Sequence, residues 1–182
     1  VQANYSDIKT PDGVQLFSER FLQIEQKINS KWKGKFGIQS VIYNQPIYEG
    51  KDDHYPKVET ITPFMELTYK LDRKNSFRFE SQYLMTEQDL GSFFHGILEW
   101  NSSPKFTIAI SDMVNTAPVR DINPTLANQV LHYPTVFAKY NIKTTSVTAA
   151  YVKQVEGVNC TGGICRLEPA FSGLRFTLAT QF

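Results

Sequence analysis

The sequence predicts an all-β protein, and more narrowly an antiparallel up-and-down transmembrane β-barrel. Apolar and polar residues alternate with a period of two through most of the 182 residues, whereas the i, i+3, i+4 spacing of an amphipathic helix is hard to find. Many alternating segments exceed the usual strand length of about five or six residues. They are long enough for tilted strands to cross a bilayer.

The alternation predicts about nine strands after a short N-terminal segment. They are residues 15–28, 32–44, 58–71, 76–88, 93–100, 106–114, 132–140, 145–155 and 169–182. Residues 1–14 are interpreted as a loop or as the remnant of a preceding strand, and residues 15–182 as barrel strands. Because a single-chain bacterial barrel normally has an even number of strands, we expect at least one more strand and a larger barrel.

The connections between these strands are of two kinds. Short turns rich in Asn, Asp and Ser are predicted at residues 29–31, 72–75, 101–105 and 141–144. The connections that alternate with them are long at residues 45–57, 115–131 and 156–168, and short only at 89–92. Outer-membrane barrels sort their connections in this way, with turns in the periplasm and loops outside. A soluble meander has no reason to do so.

The two faces of the predicted strands differ in chemistry. One face is apolar and includes Ile24, Phe36, Ile38, Leu67, Phe79, Leu98, Ile110, Val136, Ala149 and Phe176. The charged residues of the other face are Glu25, Lys27, Lys33, Lys35, Glu66, Lys70, Arg78, Glu80, Glu99, Lys139 and Arg175. A soluble barrel with an apolar core has the same period, so alternation alone does not say which face is inside.

The aromatic residues indicate the orientation. Seven of them lie within a few residues of a short turn or of the C-terminus: Trp32, Tyr69, Phe77, Trp100, Phe106, Tyr140 and Phe182. In a barrel they would form one ring at a single height, which is the interfacial girdle of a membrane barrel. The sequence therefore favours an apolar face on outer-membrane lipid and a charged lumen over a soluble β-sandwich or lipocalin-like barrel.

Composition excludes some partners but names none. A net charge of +1 provides no field that would attract nucleic acid. The hydrophobic fraction of 41% suits a soluble protein and a membrane barrel equally. No stretch reaches the roughly 18 to 20 consecutive apolar residues of a transmembrane helix, so a membrane-spanning chain must cross with strands.

Three residues in two of the predicted strands break the pattern. Phe17 and Phe21 are out of phase with the apolar residues that follow them, which indicates a bulge or an extension above the membrane. Pro63 lies inside a predicted strand, where it removes a ladder hydrogen bond unless it sits at an edge or bulge.

The two cysteines, Cys160 and Cys165, are separated by four residues that include Gly162 and Gly163. Two glycines allow a turn that brings the sulfurs together, so we expect a disulfide and an oxidising compartment, periplasmic or at the cell surface. Two free thiols are the alternative. A metal site would need more ligands than two cysteines.

The sequence does not predict an enzyme. Asp53, His54 and His132 could be combined with Ser92 or Ser111 in a hydrolytic site, but no motif fixes their geometry. No catalytic residue and no cofactor is therefore expected.

Metal binding is also not predicted. Glu49, Asp52 and Asp53 could offer oxygen ligands to a divalent cation, although a solvated acidic loop explains them better. His95 is interpreted as the lumen partner of Glu99.

The C-terminal segment, residues 172–182, resembles the sorting signal of bacterial outer-membrane proteins. The resemblance is carried by Gly173, Leu174, Phe176, Leu178 and the terminal Phe182, while Thr180 departs from the bulkier residue that is commoner at its position. It implies recognition by the barrel-assembly machinery and a periplasmic C-terminus. The whole chain, with strands such as residues 76–83, also resembles the C-terminal part of an uncharacterised family of Bacteroidota-type outer-membrane barrels.

Two main functions follow as expectations. The first is porin-like passage or transport across the outer membrane. The second is a non-conducting structural or accessory subunit that contacts other outer-membrane proteins or lipoproteins in a secretion or assembly complex. A surface enzyme is the third possibility.

Overall fold

The computed structural model describes residues 1–49, 57–118, 130–155, 157–161 and 164–181. The elements in these residues are β1 (Gln2–Lys9), β2 (Gln15–Lys27), β3 (Trp32–Tyr43), α1 (Gln45–Glu49), β4 (Val58–Lys70), β5 (Asn75–Leu84), β6 (Ser92–Ser102), β7 (Phe106–Ala117), β8 (Leu131–Ile142), β9 (Thr145–Gln154), β10 (Gly157–Thr161), β11 (Ile164–Glu168) and β12 (Phe171–Thr180). The all-β prediction is confirmed. No helix in the described part of the chain is long and apolar enough to cross a membrane.

The large sheet is an antiparallel meander. Its ten strands stand in the order β1 to β9 followed by β12, and each pairs with its neighbour along the chain. The up-and-down prediction is therefore confirmed. The sheet is open, with β1 and β12 as its edges, and β10 and β11 form a separate two-stranded sheet.

The predicted strands fall on strands of the large sheet, with ends that differ by a few residues. Gln2–Lys9, for which a loop and a strand were both open, form β1. The long connection predicted at residues 156–168 lies between β9 and β12, and it contains two further strands, β10 and β11, which pair with each other. Gly162 and Gly163, which follow β10 in the sequence, lie outside the described residues.

Two of the short turns are closed by the same side-chain bonds. The Oδ1 atoms of Asn29 and Asp72 each accept the backbone N–H groups of the residues two and three positions further on, at 2.7 to 2.9 Å. Hydrogen bonds from the Asn75 amide and the Lys74 backbone also lower the pKa of Asp72. Short Asx side chains close turns in this way, which is why Asn and Asp mark them in the sequence.

The short turns lie at one end of the sheet, which we call the turn edge; the opposite end is the loop edge. Each short turn is also joined to the next hairpin by a backbone hydrogen bond. The four bonds are Lys70 N to Lys31 O, Ser103 N to Lys74 O and Asn141 N to Lys105 O, each 2.8 Å, and Gln181 N to Thr144 O, 3.1 Å. The turn edge is thus continuous in hydrogen bonding.

Burial in the sheet is inverted relative to a soluble protein. Among the described residues, the only hydrophobic side chains classed as buried are Val58 and Ala109, each 2% exposed. Apolar residues of one face are instead about half exposed, such as Leu98 at 51% and Ile110 at 54%. Charged side chains on the central strands of the opposite face, such as Arg78 at 27% and Glu99 at 16%, are more buried. We call these the apolar face and the polar face.

The sheet is curled with the polar face inside. A cavity of about 800 Å³ on the polar face is lined by Val41 of β3 and also by Val155, which follows β9. These strands stand six places apart in the sheet order. A flat sheet would separate them by roughly 29 Å at the usual strand spacing of about 4.8 Å.

Pro63 interrupts the β4–β5 ladder without a bulge. Phe64 pairs with Gln82 on one side of it, and Ile61 bridges to Met85 on the other, in the same register. Because Pro63 has no backbone N–H, hydrogen bonds are missing from the β4–β5 ladder at this point, as its position in a predicted strand indicates.

Phe21 is out of phase because it belongs to the polar face. The pairing of β2 with β3 is unbroken along Phe17 and Phe21, so the bulge predicted there is absent from this ladder, although the β1–β2 register does shift beside Phe17. The Phe21 ring stacks on Phe64, with centroids 5.7 Å apart. Gly37 pairs with Phe64 across the β3–β4 ladder, and a Cβ there would stand 2.5 Å from the Phe64 ring.

Candidate functional site on the polar face

A network of charged side chains crosses the polar face near the turn edge. Arg78 lies at its centre, with Nη2 3.0 Å and Nε 3.4 Å from the two carboxylate oxygens of Glu99. Its Nη1 pairs with Glu80 and lies 3.5 Å from Oε2 of Glu66. Lys35 Nζ lies 3.5 Å from the same Glu66 oxygen. Five residues that the sequence predicts to face the lumen are thus brought together.

Neutral side chains extend this network to β7. The Asn101 amide donates to Glu99 Oε1 at 2.6 Å, and the Thr107 hydroxyl donates to Asn101 Oδ1 at 2.7 Å. The network therefore runs across five strands, from β3 to β7. Its two cations, Lys35 and Arg78, stand against the three carboxylates, so the charges nearly cancel and leave one negative charge.

Other predicted lumen residues lie outside the network. Lys33 Nζ is 2.9 Å from Glu25 Oε1, and both side chains are about half exposed. Lys27, Lys33 and Lys70 line a depression of about 180 Å³ at the turn edge. Lys139 stands opposite Thr107 in the β7–β8 register.

Arg175 is separated from the network because it lies on β12, at the edge of the sheet. Its Nη2 is 3.4 Å from Oε1 of Gln154, and its guanidinium lies 5.6 Å from the ring centre of Phe171.

The connection of residues 85–91, between β5 and β6, is fixed by buried polar side chains. The Gln45 amide, 3% exposed, donates to Asp89 Oδ1 at 2.8 Å. The Asn115 amide, 4% exposed, donates to the Leu90 carbonyl at 2.7 Å. Gly91 has a φ of +86°, and a Cβ there would lie 2.0 Å from a backbone oxygen of β7. The connection is therefore held in one place against the sheet.

The cavity of about 800 Å³ lies beside this connection, toward the loop edge. Its apolar lining includes Val41, Val58, Leu84, Leu90, Phe93 and Met113, and its polar lining includes Gln39, Thr60, Thr62, Gln82, Thr86 and His95. The five residues of the charged network do not line it. The polar face is thus divided into an ionic half at the turn edge and a largely uncharged half at the loop edge.

The prediction that His95 pairs with Glu99 is wrong. The Gln82 amide lies 3.0 Å from His95 Nδ1, while Glu99 bonds to Arg78 and Asn101. Residues four positions apart on one strand are separated by about 13 Å, so the neighbour across the ladder is closer.

Of the candidate hydrolytic residues, the structure describes His132, Ser92 and Ser111, which are not brought together, whereas Asp53 and His54 lie outside the described residues. His132 Nδ1 lies 2.6 Å from Asp112 Oδ2, on the apolar side of the sheet above Ile110. Ser111 lies on the polar face, and the Ser92 hydroxyl bonds within the 85–91 connection. Sequence reasoning missed Asp112, although an acid at an apolar position of β7 was the available signal.

The candidate ligands for a divalent cation in the long loop after β3 lie outside what the structure describes: Asp52 and Asp53, together with the side chain of Glu49. Among the described residues, no group of three or more His, Cys, Asp or Glu side chains could hold a metal ion.

Aromatic residues align across the apolar face at the turn edge. Trp32 pairs with Tyr69, Tyr69 with Phe77, and Phe77 with Trp100, so the four occupy one row across four strands. The Trp32 and Tyr69 rings lie 4.7 Å apart. Phe106 pairs with Ser102 and is therefore offset by two residues from this row, although its ring lies 5.9 Å from that of Trp100. Four of the seven aromatic residues for which one height is predicted thus share a register row, and Phe182 lies outside the described residues.

The predicted sorting strand and disulfide are described only in part. Leu174, Phe176 and Leu178 on β12 are 68 to 72% exposed, while Phe182 lies outside the described residues. The β10–β11 register places the backbone of Cys160 opposite that of Cys165. The side chains of both cysteines lie outside the description, so their disulfide stays a prediction.

The fold and its two faces define an all-β protein built on one open, ten-stranded antiparallel meander with an ionic inner face. The chain belongs to the family of unknown function DUF6029, which it matches over residues 2–182. No curated protein and no solved structure matches it.

Proposed function

We propose that this chain forms part of the wall of an outer-membrane β-barrel with a porin-like passage. The observation that carries the proposal is the inverted burial of the sheet: apolar side chains such as Leu98 and Ile110 are more exposed than the charged Glu99. Soluble monomers rarely expose an apolar surface that covers a whole sheet face. Membrane barrels do so because lipid covers that face.

The aromatic row supports the same proposal. Trp32, Tyr69, Phe77 and Trp100 stand on the apolar face at the turn edge, and aromatic side chains favour the membrane–water interface. In the proposed orientation the short turns and the end of β12 are periplasmic and the long loops extracellular. The proposal includes no catalytic activity and no cofactor.

The exposed side chains of β12 support a role in biogenesis. Leu174, Phe176 and Leu178 are the apolar residues that the sorting-signal resemblance names, and they lie in one row on the sheet edge. We propose that the barrel-assembly machinery binds this edge strand before the sheet is completed.

Charge substitutions on adjacent residues test the membrane location. Ile110→Lys places a charge on the apolar face at a position that is already 54% exposed. We expect it to lower the free energy of unfolding of the chain in phospholipid vesicles by about 2–4 kcal/mol. An exposed position of a soluble protein would lose at most about 0.5 kcal/mol.

Ser111→Lys is the matched control, because the neighbouring residue faces the polar side. It should cost clearly less than Ile110→Lys. Equal, small costs for the two variants in a guanidinium titration would contradict the membrane proposal.

A second candidate function is an accessory subunit that docks a partner in the periplasm. The observation that favours it is the charge of the turn edge, where exposed basic side chains outnumber the acidic Asp72. They are Lys31, Arg73, Lys74, Lys105 and Lys143. This edge would attract an acidic protein.

Planar-bilayer conductance separates the two functions. A porin-like passage gives ion current from the full-length protein. A stable partner on purification with no conductance would support the accessory role instead.

A further inference from the structure

The cavity at the loop edge has the size and lining of a small-molecule site. Its volume of about 800 Å³ lies within the roughly 300–1,000 Å³ range of ligand pockets, which combine apolar walls with a few polar groups. Phe93 and Met113 contribute apolar surface, and Gln39, Gln82 and Thr62 contribute amide and hydroxyl groups. None of these groups carries a formal charge.

Among the described residues that line the cavity, one carries a formal charge, and that residue has a hydrogen-bond partner. Asp89 accepts a hydrogen bond from the buried Gln45 amide at 2.8 Å. The cations Lys35 and Arg78 stand in the network at the other half of the polar face. An anionic solute would therefore lose hydration in this cavity without gaining a cationic partner among the described lining residues, which is costly.

One polar group of the cavity is available to a ligand. Thr62 is only 9% exposed and lines the cavity, and its hydroxyl makes no hydrogen bond with the part of the chain that the structure describes. Gln82 and His95 form a second polar pair on the same wall. Hydroxyl and amide groups of a solute would find partners here.

The cavity wall formed by residues 85–91 is preformed. Gln45, Asn115 and Ser92 hold it through buried hydrogen bonds. Because the wall is already ordered, a ligand would not meet the cost of ordering it on binding.

We infer that this cavity binds an uncharged molecule that combines an apolar or aromatic body with hydroxyl groups. The inference goes beyond the proposed function, because the cavity lies on the polar face and its binding does not require that the apolar face contact lipid. Failure of ligand binding and failure of the membrane test with Ile110→Lys are therefore independent results.

Two probes of matched shape test the inference: 4-methylumbelliferyl β-glucoside, which is uncharged, and 4-methylumbelliferyl β-glucuronide, which carries a carboxylate. Binding to the full-length folded protein is measured by equilibrium dialysis. We expect the glucoside to bind at least tenfold more tightly than the glucuronide. Equal affinity of the two probes, or no binding of the glucoside, overturns the inference.

Variants locate the site. Met113→Lys adds a charge to the cavity wall and should weaken glucoside binding at least tenfold, whereas Thr177→Lys adds the same charge to β12, outside the cavity lining, and should leave it unchanged. Thr62→Val keeps the side-chain shape but removes the hydroxyl, and should weaken binding several-fold. This variant keeps the test decisive if Met113→Lys does not fold. Equal effects of the substitutions at 113 and 177, or an unchanged affinity in Thr62→Val, would count against the cavity.

Discussion

Arg78 and Glu99 face each other across the β5–β6 ladder in a two-pronged ion pair. Two guanidinium nitrogens, Nη2 and Nε, lie 3.0 and 3.4 Å from the two carboxylate oxygens. Arginine presents this planar fork and lysine does not, so the geometry is specific to the residue type. Arg78 is also the shared partner of Glu66 and Glu80, which makes it the main cation that balances the carboxylates of the network.

Arg78→Met should therefore destabilise the protein by about 1–3 kcal/mol. The estimate is below the 3–5 kcal/mol of a fully buried pair, because the side chains of the network remain 16 to 28% exposed. The measurement is the free energy of unfolding in vesicles or detergent. Arg175→Met is the control, since it removes the same charge from the sheet edge and should cost less than about 0.5 kcal/mol. Equal losses in the two variants would show that the network adds nothing.

The aromatic row predicts the depth of both tryptophans. Trp32 and Trp100 occupy the same row, so in a bilayer they should lie at one depth near the headgroups. In the single-tryptophan variants Trp32→Phe and Trp100→Phe, lipids brominated near the headgroup should quench fluorescence more than lipids brominated near the chain ends. Insensitivity to bromine in both variants would argue for a water-exposed row.

Gly91→Ala should displace the 85–91 connection and reduce stability by more than about 1 kcal/mol. The new Cβ would meet the Ala117 carbonyl oxygen at 2.0 Å. Gly13→Ala is the matched control, because Gly13 has a φ of +83°, close to the +86° of Gly91, but no neighbour within 4 Å. Limited proteolysis at residues 85–91 should become faster only in Gly91→Ala. Similar behaviour of the two variants would mean that backbone strain alone accounts for the loss.

The lowered pKa of Asp72 predicts that its turn contributes to the stability of the fold in a pH-dependent way. Its pKa is lowered in the folded protein, first by the Asn75 side chain and then by the Lys74 backbone N–H. A depressed carboxyl pKa stabilises the fold above the unfolded value of about 3.9, and this stabilisation is lost as pH falls through the folded pKa. Wild type should therefore be more stable than Asp72→Ala at pH 7, and the difference should shrink toward pH 2. A difference that is constant with pH would contradict a role for the ionised carboxylate.

The β10–β11 hairpin predicts a disulfide between Cys160 and Cys165, whose backbones stand opposite each other. Directly opposed residues of an antiparallel pair have Cα atoms about 4.5–5.5 Å apart, and disulfides span about 4.4–6.8 Å. Alkylation without reductant should leave both thiols unmodified in intact-mass spectrometry, and alkylation after reduction should modify both. Modification of both thiols before reduction would establish free cysteines.

The sequence was sufficient to predict nine of the ten strands of the large sheet, because their alternation is a local property. The turns at Asn29 and Asp72 could be predicted for the same reason, since each side chain closes its own turn. The charged residues of the polar face could be assigned to that face by parity alone.

The side-chain contacts of the polar face could not be predicted from local sequence patterns. Which acid Arg78 prefers depends on the ladder register, and His95 meets Gln82 instead of Glu99 for that reason. The buried Gln45 and Asn115, which hold the 85–91 connection, give no sequence signal because their partners lie on other elements.

The hydrogen bonds that join successive turns suggest an order in which hairpins add to the sheet during assembly. The turn of each hairpin provides one backbone carbonyl that accepts a hydrogen bond from the strands that follow. The Lys31 carbonyl, for example, accepts from the Lys70 N–H at 2.8 Å. A hairpin therefore cannot peel away from its turn edge without breaking a bond to its predecessor. Amide exchange should begin at the loop edge and reach the turns last, and during assembly each docked hairpin would align the next one from its turn upward.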